Sequence, residues 1–321
     1  MKDTIGIIGA GMAGAWLANQ LDAAGHDVVV FEKSRGFGGR MATRRLDDIT
    51  FDHGAQFFTA RTSAFQKVLE THHDIVETWT PNVATLGAVT KPFKRPWFEP
   101  HYVGVPSMGA LCKRLLGDIP VELNFEVREL QPKDSGWVVL NQDGVQRELG
   151  WVISTAPAEQ TQNLTRAPLD DVIYTPCFAL MAYLEQPPSF DAAVIRGSAL
   201  DWLAVPSSRP ARLATPGIVA HATPEWSIQH YDHDREHVAN LLATAVRELG
   251  IYVKEIAALH RWRYARVAQP HSEPFWIAAQ HRLAACGDWG LGPNVEDAFT
   301  SADQLLDTLR RTSTLIGTSK T

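Results

Sequence analysis

Three glycines at fixed spacing make the first chemically informative pattern. Gly9-Ala10-Gly11-Met12-Ala13-Gly14 follows directly on an apolar run, Thr4-Ile5-Gly6-Ile7-Ile8. A second apolar run, Val28-Val29-Val30-Phe31, ends on Glu32, 18 positions beyond the last glycine. A strand, a glycine turn, a helix and an acid at that distance form the unit that binds dinucleotides. Gly9 permits the tight turn, Gly11 lets backbone amides approach a pyrophosphate, and Gly14 lets the helix lie close to the strand. The helix-start amides, Met12 and Ala13 among them, then face the negative charge. Glu32 can accept from both hydroxyls of an adenosine ribose and would repel a 2'-phosphate, so FAD or NAD is expected before NADP. A turn kept for packing alone is the competing reading, and the strand, helix and acid together outweigh it.

The elements that must position these residues can be read along the chain. Apolar spacing from Ser63 to His73 predicts a helix, and residues 80–100, with prolines at 81, 92, 96 and 100, read as irregular or edge strand. Pro106-Ser107-Met108-Gly109 opens a short helix through Leu116, with Ser107 as its cap. Val121–Leu130, Trp137–Asn141 and Val145–Leu149 read as an antiparallel meander, and Trp151–Pro157 as a buried strand that leaves its sheet at Ala156-Pro157. A second sheet is expected from Cys177–Glu185, Asp201–Val205, Gly217–His221 and Ile256–Tyr264. Asp234–Leu249 is an amphipathic helix with Val238, Leu241, Leu242 and Val246 on one side. A short strand over Leu283–Gly287 and a final helix over 295–310 complete the pattern. The fold class is therefore α/β: a Rossmann-like FAD-binding domain (1–61, 107–165 and 280–310) with an inserted α+β substrate domain (62–106 and 166–279) dominated by an antiparallel sheet. Residues 311–321 are expected to fray.

Composition excludes several classes of function. The 321 residues suggest two subdomains, and 45% hydrophobic residues with a mean hydropathy of -0.14 describe a soluble globular enzyme. The 30 basic and 36 acidic residues are mixed along the chain, which leaves no basic footprint for nucleic acid. The stretch Ile5–Ala18 is broken by four glycines and lacks a basic leader, so neither a signal peptide nor a membrane span is expected. Cys112, Cys177 and Cys286 are widely spaced without a CxxC, so a reducing cytoplasm is expected, with no disulfide framework and no metal site.

Further motifs carry a resemblance. Phe31-Glu32-Lys33-Ser34-Arg35-Gly36 with Gly39-Arg40-Met41, then Asp52-His53-Gly54-Ala55-Gln56-Phe57-Phe58-Thr59-Ala60-Arg61, then Ser154-Thr155-Ala156-Pro157 follow the glycine turn. Leu200-Asp201-Trp202-Leu203-Ala204, His260-Arg261-Trp262-Arg263-Tyr264-Ala265 and Cys286-Gly287-Asp288-Trp289 come after them in order. This series resembles the FAD-dependent amine oxidase superfamily, with its p-hydroxybenzoate hydroxylase-like fold, and within it the renalase family. The resemblance runs to about residue 309. It implies non-covalent FAD and oxidation of misreduced 2-dihydro and 6-dihydro isomers of NAD(P)H to NAD(P)+, with dioxygen reduced to hydrogen peroxide. It implies a dinucleotide and dioxygen as the only partners, with no nucleic acid, membrane or protein. Two positions depart from the family pattern: Phe57 stands where relatives carry an aromatic hydroxyl, and a basic residue is missing near Asn294.

Roles follow from those positions. Arg40 is expected on the pyrophosphate, where a guanidinium adds bidentate geometry, with Gly39 and Met41 beside it and Lys33, Ser34 and Arg35 near the adenosine. Val127 would offer backbone groups to the adenine edge, Thr155 and Ala156 bring backbone to the cofactor, and Gly287 and Asp288 sit by the ribityl chain. Val295 begins the last helix, which is capped by Asn294, points at the flavin and is partly offset by Glu296 and Asp297. Gly54, Ala55, Gln56 and Phe57 run beneath the flavin ring. Phe57, Phe58, Thr59, Ala60, Arg61, Tyr102, Trp202, His260 and Trp289 are the candidate substrate contacts; Trp202, His260, Trp262, Tyr264 and Trp289 could form an aromatic box. With ten tryptophans in the chain, plain core remains the reading for most of them, and for one of Phe57 and Phe58. No catalytic side chain is needed, because hydride loss leaves an aromatic cation with no proton to remove. Amine oxidases of the superfamily use a lysine from the substrate half; between Lys133 and Lys320 the chain has Lys254 alone, in a turn that looks exposed. Another amine oxidase-like or carotenoid-type oxidoreductase and a non-catalytic FAD-binding protein are the alternatives.

Overall fold

The computed structural model describes residues 4–46, 48–88 and 99–312. Residues 313–321 of the tail expected to fray and residues 89–98 of the proline-rich stretch lie outside the described residues. Two six-stranded sheets organise the rest.

The first sheet runs in the order Phe275–Ala278, Leu283–Cys286, Trp151–Ser154, Ile5–Ile8, Val28–Glu32, Val121–Leu123. All neighbours are parallel except the first pair. Its strands are continuous apolar runs because both faces are covered: Ile7, Val30 and Ile153 each have 0% exposure. Helices Met12–Ala23, Ala110–Leu116 and Val295–Arg311 cover one face. A three-stranded meander, Val127–Lys133, Gly136–Asn141 and Gln146–Leu149, supplies Val127, Val139 and Leu149 to a second cluster with Ile8 and Phe31.

Two local expectations are corrected here. Val121–Leu130 is not one strand: Val121–Leu123 joins the parallel sheet, and the meander begins at Val127. Asn124 divides them with φ of 55°, a left-handed conformation that asparagine tolerates. Ser107 does not cap the short helix; Gly109 precedes Ala110–Leu116, and the Ser107 hydroxyl accepts from Arg45 at 3.2 Å.

The second sheet runs Val253–Gln269, Ile173–Leu184, Gly217–Ala222, Leu200–Ala204, Ala192–Arg196, Val83–Gly87. It is antiparallel apart from the last pair, so the strand in the proline-rich region is indeed an edge. Helix Arg235–Glu248 packs Val238, Leu242 and Val246 against Phe178, Leu180 and Leu203. Leu241, placed on that face by the sequence, is 37% exposed. The Asp234 carboxylate caps this helix through the amides of Glu236 and His237. Lys254 lies in the long strand Val253–Gln269, not in a turn, and is exposed. A hairpin, Thr43–Leu46 with Ile49–Asp52, joins the first sheet to the second. Among the described residues no helix is long and apolar enough to cross a membrane.

Candidate functional site

The glycine turn separates what packing demands from what a ligand would use. A Cβ on Gly14 would lie 2.0 Å from the Gly9 carbonyl oxygen, and one on Gly9 would lie 2.7 Å from the Thr155 hydroxyl. Gly9 also has φ of +108°, so protein contacts alone require both glycines. Gly11 differs: a Cβ there would meet nothing nearer than 4.0 Å, where Gly38 and Gly39 begin. Gly39 faces it from a second turn with φ of +53°. The first bond of the helix ladder runs from Ala15 N to Gly11 O, which leaves the amides of Met12, Ala13 and Gly14 ahead of it. In the turn Gly39–Met41 the first closing bond is Met41 N to Gly38 O. Gly11 and Gly39 thus lie backbone against backbone, and the two short rows of leading amides beside them carry no side chain, a surface of the kind that receives a pyrophosphate. Met12 and Ala13 are buried at 4% and 5% exposure, so only their backbone can take part.

Glu32 lies at the end of its strand, 5% exposed. Its oxygens accept from the Ala10 amide at 2.9 Å and the Ser34 amide at 2.8 Å. Each carboxylate oxygen keeps a second lone pair, so Glu32 ties the turn to the next loop and can still accept from a ribose. Lys33 and Arg35 are exposed, with Lys33 reaching Gln160 at 3.5 Å, and the Ser34 carbonyl accepts from Asn124. Val127 is packed in the core at 8% exposure, one strand away from the Glu32 carbonyl that holds Phe125. Thr155 bonds Ile8 O through both its amide and its hydroxyl, and Ala156 O accepts from Thr161.

Arg40 finds a protein partner before any phosphate. Its guanidinium forms a two-pronged pair with Asp288, at 2.5 and 2.6 Å, and reaches the Tyr264 carbonyl at 3.3 Å. Two residues assigned from sequence to adjoining parts of the cofactor, its pyrophosphate and its ribityl chain, thus hold one another. The Gly287 amide donates to Ser301, and the first turn of the last helix is fastened inward. Glu296 accepts from the amides of Arg61 and Thr62, and Asp297 accepts from Asn294. Val295 is half-buried against the first core.

Residues 52–61 are only partly as expected. Gly54 is small for the protein's sake: a Cβ would lie 2.0 Å from the Arg40 carbonyl, which accepts from the Ala55 amide. Gln56 turns its side chain into the protein instead of toward a ligand. Its amide donates to Asp52 and Gly54 carbonyls, and its oxygen accepts from Arg209 at 2.7 Å. Phe58, at 3% exposure, is core against Phe65 and Tyr102, and is not a substrate contact. Phe57 is half-buried and faces His101 edge-on at 4.3 Å, with Trp202 at 6.1 Å and Trp79 at 6.4 Å. Thr59, Ala60 and Tyr102 are half-buried nearby, and Arg61 points outward to Glu99 at 2.6 Å.

The aromatic box divides. Trp202 joins Phe57, whereas His260 and Trp262 gather around His53, at 4.8 and 5.2 Å. Tyr264 meets Tyr174 edge-on at 5.3 Å. Trp289 has 0% exposure among Ala158, Ala167, Leu169 and Val267, so it walls no slot. Burial first, then the neighbouring His53, pushes His260 down to about 4, and burial lowers His53 and His101 as well. At neutral pH these three histidines are uncharged. Behind Arg40 a separate cleft of about 390 Å³ opens beside Glu159, Tyr174, Arg263 and Tyr264, and Phe57 and Trp202 do not line it. The sequence pattern did not single out Trp79, His101, Arg209 and Arg212, and it gave Asp52 no role beyond opening a motif; an arginine followed by a proline, as at Arg209-Pro210, reads as solvated loop.

A profile of NAD(P)-binding Rossmann-like domains matches residues 7–72. Over 50 residues the chain is 46% identical to 4,4'-diapophytoene desaturase (4,4'-diaponeurosporene-forming) of Staphylococcus haemolyticus, covering 16% of this chain and 10% of that protein. The corresponding Staphylococcus aureus enzyme is 44% identical over the same length. The chain thus spans about a tenth of the curated relatives it matches. Solved structures match at full length. A proposed protoporphyrinogen oxidase from Exiguobacterium sp. 255-15 superposes with a TM-score of 0.76 at 12% identity, covering 97% of this chain and 99% of that one. A CLA-producing fatty acid isomerase from P. acnes gives 0.73 at 12%, over 95% and 98%, and a putrescine oxidase variant 0.69 at 14%, over 96% and 99%. Residues 7–72 are therefore similar to the NAD(P)-binding Rossmann-like domains, and 95–97% of the chain shares its mixed α/β fold with these oxidase and isomerase structures.

Proposed function

We propose that this protein is an FAD-dependent oxidoreductase, and within that class an oxidase that returns 2-dihydro and 6-dihydro isomers of NAD(P)H to NAD(P)+ while dioxygen becomes hydrogen peroxide. The residues fit the cofactor. The side-chain-free amide rows at Gly11 and Gly39 would take its pyrophosphate, Glu32 its adenosine ribose, and the Arg40–Asp288 pair its ribityl segment. When bound, FAD supplies the two-electron chemistry; the chain supplies binding, orientation and electrostatics.

The observation that carries the substrate reading is the wall formed by Phe57, His101 and Trp202. A dihydronicotinamide is flat and neutral, and aromatic walls orient such a ring without charge. Loss of a hydride needs no base, which agrees with histidines that burial keeps neutral. Amine oxidation gains less support, because Lys254 is exposed on the second sheet. The fold likeness to a putrescine oxidase cannot choose a substrate at 14% identity. The desaturase likeness stops within 50 residues and says nothing about the second sheet.

Anaerobic mixing of FAD-loaded protein with 2-dihydro- or 6-dihydro-NAD tests the assignment. Rapid bleaching of the flavin absorbance is expected, followed by peroxide on admitting air. Bleaching by a diamine or a polyene, and by neither isomer, overturns the substrate and keeps the class.

A further inference from the structure

Both acceptors of Gln56 are held by one guanidinium. Arg209 donates to the Gln56 carbonyl from Nε at 3.3 Å and from Nη2 at 3.2 Å, and to the side-chain oxygen from Nη2 at 2.7 Å. Its side chain has 0% exposure and lies 4.6 Å over the ring of Trp79, which in turn packs near Phe57. Asp52, also at 0%, is 3.9 Å from Arg209 but is engaged more closely by Arg212 at 2.9 and 3.2 Å. The other Asp52 oxygen accepts from Thr43 and the Met108 amide. Among the described residues the Arg209 Nη1 has no acceptor.

Two buried cations thus share one buried anion, and the surplus positive charge lies directly behind residues 56–57. Burial lowers Arg209 to about 10, which still leaves it charged at neutral pH. The neighbouring histidines offer no compensation: burial first, with a smaller push from Arg209, holds His221 at about 4. An apolar side chain in such a place is commonly as stable as a buried ion, so stability alone is a weak reason for this charge. With no exposed surface, Arg209 also cannot touch a ligand.

The geometry points to Arg209 as a positioning residue that also acts electrostatically. It fixes Gln56 and Phe57, and its buried charge raises the reduction potential of a flavin bound beside them. This rests on the FAD reading above. A positive field at the cofactor favours the electron-rich form, and charge near the reactive ring is one of the few levers a protein has on that balance.

The test uses FAD-loaded full-length protein and its two-electron potential, measured anaerobically against reference dyes without substrate. Arg209→Met, which removes both charge and hydrogen bonds, is expected to move the potential to more negative values. Arg209→Lys, which keeps the charge, should remain near the parent value. Asp52→Asn, which removes the counter-charge, should move it to more positive values. An unshifted Arg209→Met, or an Arg209→Lys displaced equally far, overturns the inference, since a purely structural role would treat both alike. If Arg209→Met fails to fold, Asp52→Asn decides, and an unshifted or more negative value there overturns it. Parent protein that cannot retain FAD defeats the cofactor reading itself, and that appears in the first absorbance spectrum.

Discussion

Gly11 and Gly14 are one helical turn apart, yet a methyl group would meet different surroundings at each. On Gly14 it would lie 2.0 Å from the Gly9 carbonyl, on the backbone itself, which cannot move aside cheaply. Gly14→Ala is expected to cost about 1–3 kcal/mol of folding stability, read by urea unfolding of cofactor-free protein. On Gly11 the methyl would find nothing nearer than 4.0 Å, and the backbone there, at φ -82°, suits alanine. Gly11→Ala should leave stability within about 0.5 kcal/mol yet lose FAD on gel filtration, because the methyl keeps a phosphate from the leading amides. Equal FAD retention by Gly11→Ala and the parent would mean that these amides are not the pyrophosphate site. These glycine roles were legible because turn, strand and acid follow from backbone rules. Trp289 was not: residue type gives size and polarity, but which side of a turn an indole falls on is decided by packing. Nor was the carboxylate partner of Arg40 legible. Its guanidinium suits a carboxylate as well as a phosphate, and Asp288 lies 248 residues away in the chain.

At the scale of elements, the parallel sheet was readable from continuous apolar runs, and the hairpin Thr43–Leu46 with Ile49–Asp52 was not. Thr43-Arg44-Arg45-Leu46 shows no apolar alternation, and its strand exists because Ile49 and Phe51 on its partner are buried against Met181 and Val219. Ala192–Arg196 escaped notice because a short apolar run carries no period of its own. The last helix was placed well, but what its first turn does emerged only in three dimensions. Glu296, 7% exposed, was expected to offset the helix dipole. Its carboxylate also accepts from two consecutive amides, Arg61 at 2.9 Å and Thr62 at 2.6 Å, and from the Thr62 hydroxyl at 2.8 Å. Glu296→Ala would leave these donors with poorer partners and should destabilise the protein by about 1–3 kcal/mol. Glu296→Gln should recover only part of the loss, since its amide nitrogen would face the same donors. Denaturant midpoints for the two variants measure this, and a Glu296→Ala midpoint equal to the parent's would remove the strap from residues 61–62.

On the scale of the whole molecule, the 52–57 segment is where the two sheets are joined, and histidines kept neutral by burial surround it. His221, on the second sheet, contacts the His53 carbonyl at 3.1 Å, and His53 in turn packs on His260 and Trp262. An unfolded histidine takes up its proton near 6.5, whereas the folded His221 does so only at about 4. Between those values the unfolded chain binds more protons, so stability falls as the pH drops through this window and is fully present above it. The slope from His221 alone can reach about 1.4 kcal/mol per pH unit. His260, also at about 4, adds in the same direction, and His53, which pushes both of them down, couples their protonation to its own. Surface carboxylates such as Asp74 and Glu99, held below their ordinary range by arginine partners, also lose stability with acid, but mainly below about pH 5, as the unfolded carboxylates begin to take up protons. Urea unfolding at pH 7.0, 6.0 and 5.0, values chosen about the 6.5 reference, should therefore show the parent losing stability with acid. His221→Gln, which can still donate to the His53 carbonyl, should lose less over the same range. Parallel losses in the two proteins would show that the junction does not hold His221 neutral.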